Sequence, residues 1–190
     1  MERLKAEIRR HAVVRNEKIV ELDAVLTQKV DPGLMMEIGE TFAERFRDAG
    51  VNKVVTVEAS GIAPAFAAAL KLGVSLVFAR RRKTPITDPD VYIERVPSFT
   101  KGHVSDLIIA KRLLSHEDRI LVVDDIISNG GALAGLLRII GQAGASVAGI
   151  GIVVEKTFQS GADLLRGKGY RVESLVRIRS LAEGAIEFDE

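Results

Sequence analysis

The chain contains no cysteine and no tryptophan. Without cysteine it can form neither a disulfide framework nor a thiolate metal site. It also lacks an apolar N-terminal segment, a low-complexity tract and an apolar run of membrane-spanning length, so it predicts neither a signal peptide nor a membrane span. The formal net charge is only +1, which gives no general affinity for nucleic acid or for an anionic membrane. We therefore expect a cytoplasmic protein without nucleic-acid or membrane partners, in which any basic site is local.

The length and composition predict a single domain. The chain has 190 residues, of which 47% are hydrophobic and 28% are charged, and this is enough to bury a substantial core. Strand and helix patterns alternate along most of the sequence, an order typical of an α/β fold with a parallel sheet flanked by helices. We expect one domain that spans residues 1–190.

The most informative stretch runs over residues 120–133. Its first four residues are apolar and three of them are β-branched, which is typical of a strand buried on both faces. Asp124 and Asp125 follow, and then small turn-forming residues at 128–131 lead into a helical pattern. The backbone N–H groups of such a loop, at the start of a helix, can bind a phosphate. Carboxylates beside it can hold sugar hydroxyls or a shared Mg²⁺ ion, so the stretch favours a ligand with both a ribose and a phosphate.

Two other predicted strands end in residues that suit a phosphate. The strand at 53–58 leads into the small residues 59–61, which offer a backbone N–H and a hydroxyl. The strand at 75–79 runs into four cations at 80–83, and arginine favours bidentate phosphate contacts. Taken alone, the first feature is a tight turn and the second a solvated charged face. Because open α/β sheets bind ligands beyond the carboxyl ends of their strands, we expect both to face the crevice beside the 120–133 stretch.

The remaining segments give less specific patterns. Residues 13–26 contain short extended pieces separated by polar residues, with Val25 and Leu26 as the last of them. Residues 84–105 contain three prolines and little periodicity, and a stretch of that length is more often functional than idle. The other expected elements are helices at 2–11, 31–50, 62–72 and 161–167, strands at 145–154 and 170–178, and a tail at 185–188 that pairs with the last strand.

Residues 122–132 resemble the signature with which type I phosphoribosyltransferases bind phosphoribosyl pyrophosphate. The usual loop has threonine where this chain has Asn129, and often threonine where it has Ala132. An Asn-Gly loop that ends in alanine resembles the bacterial xanthine phosphoribosyltransferase branch. The run at 98–101 also looks like part of the xanthine-type mobile loop. The resemblance covers nearly the whole chain, and its most detailed part is at 143–181.

The resemblance implies a specific architecture. It predicts the type I phosphoribosyltransferase fold, with a core at about 32–156 that carries the central parallel sheet. A small hood over the base would come from about 13–30 together with about 157–190. A long mobile loop would close over the reacting centre and exclude water from it. The family also implies a homodimer.

The resemblance further implies a role for individual residues. Asp124 and Asp125 would be the catalytic pair that holds the ribose hydroxyls, directly or through bound Mg²⁺. No general base is identified, because the loop lacks the aspartate that some relatives carry near Ser128. The residues expected to bind phosphoribosyl pyrophosphate are Ala59, Ser60, Gly61, Arg80, Lys83, Lys101, Ser128, Asn129, Gly130, Gly131 and Ala132. The residues expected to bind the 6-oxopurine are Val20, Thr27, Lys156 and Phe158.

Two of the base-binding positions depart from the xanthine-type pattern. Val20 stands where that branch commonly has leucine, which only reduces volume. Thr27 stands where it commonly has asparagine, so an amide that both donates and accepts is replaced by a hydroxyl. This change affects discrimination at the purine 2-position.

The expected function is purine salvage, in which xanthine and phosphoribosyl pyrophosphate give the nucleotide XMP and pyrophosphate. One alternative is the same fold acting on hypoxanthine or guanine, which Thr27 leaves open. Another is a regulator that senses phosphoribosyl pyrophosphate without catalysis. Such regulators carry a separate DNA-binding domain, and the segment before Pro32 is short and has no basic recognition helix. A receiver or flavodoxin-like domain gives no reason for the cations at 80–83.

Overall fold

The structure is a computed structural model that describes residues 1–82, 89–98 and 103–189. Its α-helices are α1 (Glu2–His11), α2 (Pro32–Arg45), α3 (Ile62–Leu72), α4 (Gly131–Gln142) and α5 (Gly161–Gly167). Its strands are β1 (Val13–Asn16), β2 (Ile19–Glu21), β3 (Lys53–Val57), β4 (Ser75–Arg82), β5 (Val91–Ser98), β6 (His103–Ala110), β7 (Arg119–Ile127), β8 (Ser146–Lys156), β9 (Val172–Ser180) and β10 (Glu187–Phe188). Within these described ranges, no helix is long and apolar enough to cross a membrane.

A mixed sheet of eight strands forms the centre of the molecule, in the order β10-β9-β8-β7-β3-β4-β6-β5. The five inner strands from β9 to β4 pair in parallel. Antiparallel pairs extend the sheet at both edges, through β10 on one side and through β6 and β5 on the other. Strands β1 and β2 form a separate antiparallel hairpin. The predicted α/β class with a flanked, mainly parallel sheet is confirmed.

Helices cover both faces of this sheet. Helices α1, α2 and α3 contribute to one apolar core with residues such as Ile8, Phe42 and Ala67, and α4 and α5 contribute to the other with Leu136 and Leu165. The alanine-rich sequence of α3 lets it approach α2 closely. A Cβ added at Gly39 would lie 2.4 Å from the backbone carbon of Ala67, a distance that only small residues permit.

Several predicted boundaries agree with the structure. Helix α2 begins after Asp31, whose side chain accepts a hydrogen bond from the amide of Leu34 at 3.0 Å, and Pro32 occupies the first helical position. Gly50, with a φ of 65°, ends this region as predicted, although the α-helix itself stops at Arg45 and Arg47–Ala49 form a 3-10 turn. The predicted helices at 2–11, 62–72 and 161–167 match α1, α3 and α5.

The extended conformation predicted around Val25 and Leu26 is wrong. Residues Asp23–Thr27 form a π-helical turn, in which the amides of Val25, Leu26 and Thr27 all donate to the carbonyl of Leu22. Leu22, Val25 and Leu26 are buried by this turn. The spacing of these apolar residues is helical, and the turn is too short for its periodicity to stand out in the sequence.

The long segment at 84–105, for which no strand was predicted, forms two strands where the structure describes it. Strands β5 and β6 form a long antiparallel ladder that pairs Val91 with Ala110 and Val96 with Ser105. These two strands are consecutive in the chain, and they are stabilised by the pairing of β6 with β4 and by contacts with α4, so they leave little local signal. Residues 83–88 and 99–102 lie outside the described ranges, and the prediction that the segment at 84–105 is a mobile closing loop stays a prediction.

Three strands extend further than the sequence indicates. Strand β4 continues through Arg80 and Arg82, which align with β6. Strand β7 includes Asp124 and Asp125 and aligns with β8 as far as Ile127. Strand β8 itself reaches Lys156. The charged residues do not end these strands, because cross-strand hydrogen bonds continue through the backbone whatever the side chain is.

Candidate active site

The two carboxylates of β7 are both buried. Asp124 is 8% exposed and Asp125 is 7% exposed. Burial, and then the negative charge of Asp125, raises the pKa of Asp124 well above its ordinary value. Burial also raises the pKa of Asp125, although a hydrogen bond from the hydroxyl of Ser60 opposes that effect. The pair is therefore costly to keep ionised, and hydroxyl donors or a cation would relieve that cost.

The loop after β3 packs directly against this pair. Ser60 donates to Asp125, and a Cβ added at Gly61 would lie 2.9 Å from an oxygen of Asp124 and 2.2 Å from the hydroxyl of Thr56. Glycine is thus required at 61 by the close approach of Thr56 on β3 and of Asp124 on β7. The structure brings the loop at 59–61 and the carboxylates together, as expected for neighbouring parallel strands.

Residues Ser128 to Gly130 link β7 to α4. Gly130 has a φ of 74°, in the left-handed region, and precedes the first helical residue Gly131. The first N–H groups of a helix have no partner inside the helix, and the helix dipole adds positive potential there. This geometry can bind an anion, and it lies at the end of the same strand as the acid pair.

The cations of β4 are tied to the neighbouring loop through Glu58. Its carboxylate accepts from the amide of Arg81 at 2.7 Å and lies 3.5 Å from the guanidinium of Arg80. The charge of Arg81 also acts on Asp124, where it opposes the rise in pKa. The sequence analysis placed all four cations at 80–83 beside this crevice, but among them it assigned phosphate binding individually to Arg80 and Lys83 and not to Arg81.

Two residues of the predicted phosphate set cannot be placed. Lys83 and Lys101 lie outside the described ranges. Their expected roles stay predictions.

The predicted base-binding residues lie around the end of β8 and the N-terminal hairpin. The ammonium of Lys156 donates to the backbone carbonyl of Lys18 at 3.1 Å, and Lys156 is only 8% exposed. Burial lowers the pKa of this lysine. Val20 packs against the apolar core, whereas Phe158 is exposed.

Thr27 has a defined hydrogen-bonding state. Its hydroxyl lies 2.7 Å from a carboxylate oxygen of Asp23. A carboxylate can only accept, so the threonine hydroxyl must donate there. Its oxygen then remains available to a ligand as an acceptor and not as a donor.

The acid pair is the best candidate for holding a divalent cation. Across the described residues, no group of three or more histidine, cysteine, aspartate or glutamate side chains is arranged to ligate a metal. A cation at Asp124 and Asp125 would therefore complete its coordination with ligand oxygens and water. This is the arrangement that Mg²⁺ adopts with one or two carboxylates and a phosphorylated substrate.

Comparison with known proteins agrees with this geometry. Residues 29–176 match the phosphoribosyl transferase domain. The xanthine phosphoribosyltransferase of Pseudomonas paraeruginosa is 50% identical over 188 residues, which is 99% of each protein. That of Acinetobacter baumannii is 47% identical over 99% of this chain and 98% of its own length.

Solved structures share the fold at lower identity. The adenine phosphoribosyltransferase of Saccharomyces cerevisiae matches with a TM-score of 0.72 at 22% identity, over 92% of this chain and 99% of that one. The enzyme of Trypanosoma brucei matches with a TM-score of 0.71 at 16% identity, over 92% and 79%.

Proposed function

Because the chain belongs to the phosphoribosyltransferase family, we propose that it transfers the phosphoribosyl group of phosphoribosyl pyrophosphate to xanthine. The products are the nucleotide XMP and pyrophosphate. The observation that carries the proposal is the contact between the buried acid pair on β7 and the loop that follows the neighbouring strand β3. The N-terminus of α4 lies just beyond the end of β7. The reaction is assigned to the cytoplasm, because such a highly charged substrate does not cross a bilayer unaided, and it requires no nucleic acid.

In this reaction a ring nitrogen of the purine forms a bond to C1 of the ribose, and the bond from C1 to the pyrophosphate oxygen breaks. The proton of that ring nitrogen is released to solvent. The carboxylates of Asp124 and Asp125 hold the ribose hydroxyls. The loop at 128–132 binds the 5-phosphate through its backbone N–H groups. The loop at 59–61, together with Arg80, binds the leaving pyrophosphate and stabilises the charge that develops on it.

Mg²⁺ fits this site as a cofactor. The two buried carboxylates repel each other and have raised pKa values, and a divalent cation offsets both burial and repulsion. When bound, Mg²⁺ neutralises part of the negative charge of the pyrophosphate group. Asp124 and Asp125 are the residues that would hold it.

The base is recognised at Lys156 and Thr27. The ammonium of Lys156 donates to the 6-oxo oxygen of the purine, in exchange for its contact with the carbonyl of Lys18. The oxygen of Thr27 accepts from an N–H group near the purine 2-position, because its own proton is held by Asp23. This state also suits the 2-amino group of guanine, so guanine is the second candidate base.

Pyrophosphate release should be fastest with xanthine when xanthine, guanine, hypoxanthine and adenine are offered in turn with phosphoribosyl pyrophosphate and Mg²⁺. Hypoxanthine presents no polar group at the 2-position, and we expect its kcat/KM to be at least about tenfold lower than that of xanthine. Adenine should not react, because its 6-amino group cannot accept from Lys156. The measurement is steady-state kinetics with each base.

Variants at Thr27 sharpen this comparison. Thr27→Val keeps the shape of the side chain but removes the hydrogen-bond acceptor, so it should reduce discrimination against hypoxanthine. Thr27→Asn adds a donor for the 2-oxo group, so it should favour xanthine over guanine. A clear preference for guanine in the unmodified protein would reject the xanthine assignment. If no base reacts although phosphoribosyl pyrophosphate binds, the protein is a sensor and the catalytic proposal is wrong.

We include a homodimer in the proposal, as the family resemblance implies. Phe66 and Leu70 lie one turn apart on α3 and are 58% and 57% exposed. Two large apolar side chains on one helix face favour burial against another chain, and α3 directly follows the loop at 59–61.

The mass in solution should be twice the chain mass of 20.6 kDa, as measured by light scattering. Phe66→Asp should yield a monomer, because a charge at the centre of an apolar contact is desolvated without a partner. Leu113→Asp is the matched control, since Leu113 is also exposed but lies on a different element. A monomer for the unmodified protein, or an intact dimer for Phe66→Asp, would contradict this assignment of the contact face.

A further inference from the structure

Helix α5 approaches the loop that follows β7 closely through its backbone. The amide of Gly161 donates to the carbonyl of Ser128 at 3.0 Å. A Cβ added at Gly161 would lie 2.3 Å from that carbonyl oxygen and 2.7 Å from the amide nitrogen of Gly130. A Cβ added at Gly130 would in turn lie 3.2 Å from the Cα of Gly161. The two glycines therefore permit a contact in which the start of α5 defines the position of the loop.

An ion pair between a half-buried arginine and a buried carboxylate holds α5 against the sheet. Arg166 donates to both carboxylate oxygens of Glu155, at 2.8 Å and 2.7 Å, and Glu155 is 2% exposed. The hydroxyl of Ser174 donates to the same carboxylate, and Arg177 lies 3.8 Å away. Burial raises the pKa of Glu155, but the hydrogen bonds from Arg166 and Ser174 outweigh it and the net pKa is lowered. The lowered pKa favours the carboxylate form of Glu155, which anchors the helix through charge-assisted hydrogen bonds.

These contacts form a continuous support from the sheet to the loop. Strand β8 carries Glu155, Glu155 binds Arg166 of α5, and the first residue of α5 contacts Ser128 and Gly130. The next residue of β8 is Lys156, which the proposed function assigns to the base. Successive side chains of a strand point to opposite faces, so one strand end holds the base-binding lysine on one side and the support of the loop on the other.

We propose that α5 is a positioning element for the 5-phosphate loop, in which Gly161 and Arg166 set the loop geometry without touching the substrate. The inference rests on the proposed function, because it takes the loop at 128–132 as the phosphate site. Backbone N–H groups bind a phosphate well only when they converge on it, and hydrogen bonds weaken steeply as their angles deteriorate. A shift of the loop by a few tenths of an ångström therefore weakens phosphate binding.

Gly161→Ala is the direct test, because its methyl group displaces the loop or the helix. We expect the KM for phosphoribosyl pyrophosphate to rise about tenfold, which is the loss of roughly one well-formed hydrogen bond to a charged group, while the KM for the purine stays unchanged. Gly167→Ala is the matched control. It makes the same change at the other end of α5, where an added Cβ has no neighbour within 4 Å, and both KM values should stay unchanged.

Binding of ribose 5-phosphate, measured by calorimetry without any base, separates this inference from the proposed function. If the unmodified protein transfers to no purine, the proposed function fails, and weaker ribose 5-phosphate binding in Gly161→Ala still supports the positioning role. Equal binding by the alanine variants at 161 and 167 overturns it. Arg166→Lys retains the charge but loses the bidentate geometry, and it should raise the KM for phosphoribosyl pyrophosphate alone. A rise in both KM values would instead indicate general loss of structure and reject the positioning role.

Discussion

Asp124→Asn is expected to lower kcat/KM for phosphoribosyl pyrophosphate by about 10²- to 10³-fold, the usual effect of removing one group that stabilises a transition state. The amide can neither balance a cation nor accept from the ribose hydroxyls as strongly as a carboxylate does. Steady-state kinetics at saturating purine measure the effect. The Mg²⁺ concentration needed for half-maximal activity should rise in the same variant.

The same substitution is expected to stabilise the fold at pH 7. The pKa of Asp124 is raised in the folded protein above its ordinary value of 3.8. The folded state therefore binds more protons than the unfolded state between those two pKa values, and stability falls as the pH rises through the folded pKa. Asparagine removes this dependence. Denaturant unfolding between pH 4 and pH 8 should show a flatter profile and a larger free energy of unfolding near neutrality.

Asp118→Asn provides the contrasting control. Asp118 lies just before β7, at the opposite end of that strand from the acid pair, and its carboxylate binds the ammonium of Lys53 at 2.6 Å and the amide of Ser115 at 2.7 Å. Its loss should destabilise the protein and leave kcat unchanged. If Asp124→Asn retains full activity, or if it loses stability as Asp118→Asn does, the assignment of the acid pair is wrong.

The second large effect is expected at Lys156. Lys156→Met should lower kcat/KM for the purine by about 10²-fold, because it leaves the 6-oxo oxygen in a desolvated site without a donor. The KM for phosphoribosyl pyrophosphate should not change. Lys18→Met is the control, since Lys18 contributes only its backbone carbonyl to the contact with Lys156. Equal loss in both variants would contradict a role for the ammonium itself.

The pH dependence at Lys156 follows from its burial. The pKa of the ammonium is lowered from its ordinary value of 10.5, so activity should decline on the alkaline side at a pH below that value. An amine whose pKa is lower in the folded than in the unfolded protein makes its full contribution to the free energy of unfolding at a pH above its pKa in the unfolded state. That contribution is lost as the pH falls through its pKa in the folded state. Near neutrality the charged lysine therefore costs stability, and Lys156→Met should be more stable than the unmodified protein.

The structural features that depend on neighbouring residues in the sequence were mostly predicted correctly. The apolar run at 120–123 predicted a central strand, and the rule for parallel strand ends predicted that the loop at 59–61 would face the same crevice as the 120–133 stretch. Strands β5 and β6 were missed because antiparallel pairing depends on a partner and on α4, which local periodicity does not contain. The role proposed for Gly161 was also missed. A glycine in a short helix gives no sign of what packs against it, and only the position of Ser128 in space gives that glycine a function.

The order of strands in the sheet also sets the course of folding. Strand β3 lies at the centre and pairs with β4, its next strand along the chain, but its other edge pairs with β7, where Lys53 aligns with Ile120. Pairing of β3 with β7 closes a long loop. The chain loses conformational entropy in this closure before the new contacts stabilise the sheet. During synthesis, β3 emerges with one edge unpaired until β7 has left the ribosome. The carboxylates of Asp124 and Asp125 and the loop at 59–61 therefore come together only at a late step of folding. A nascent chain that stops before β7 exposes an apolar strand edge that favours aggregation.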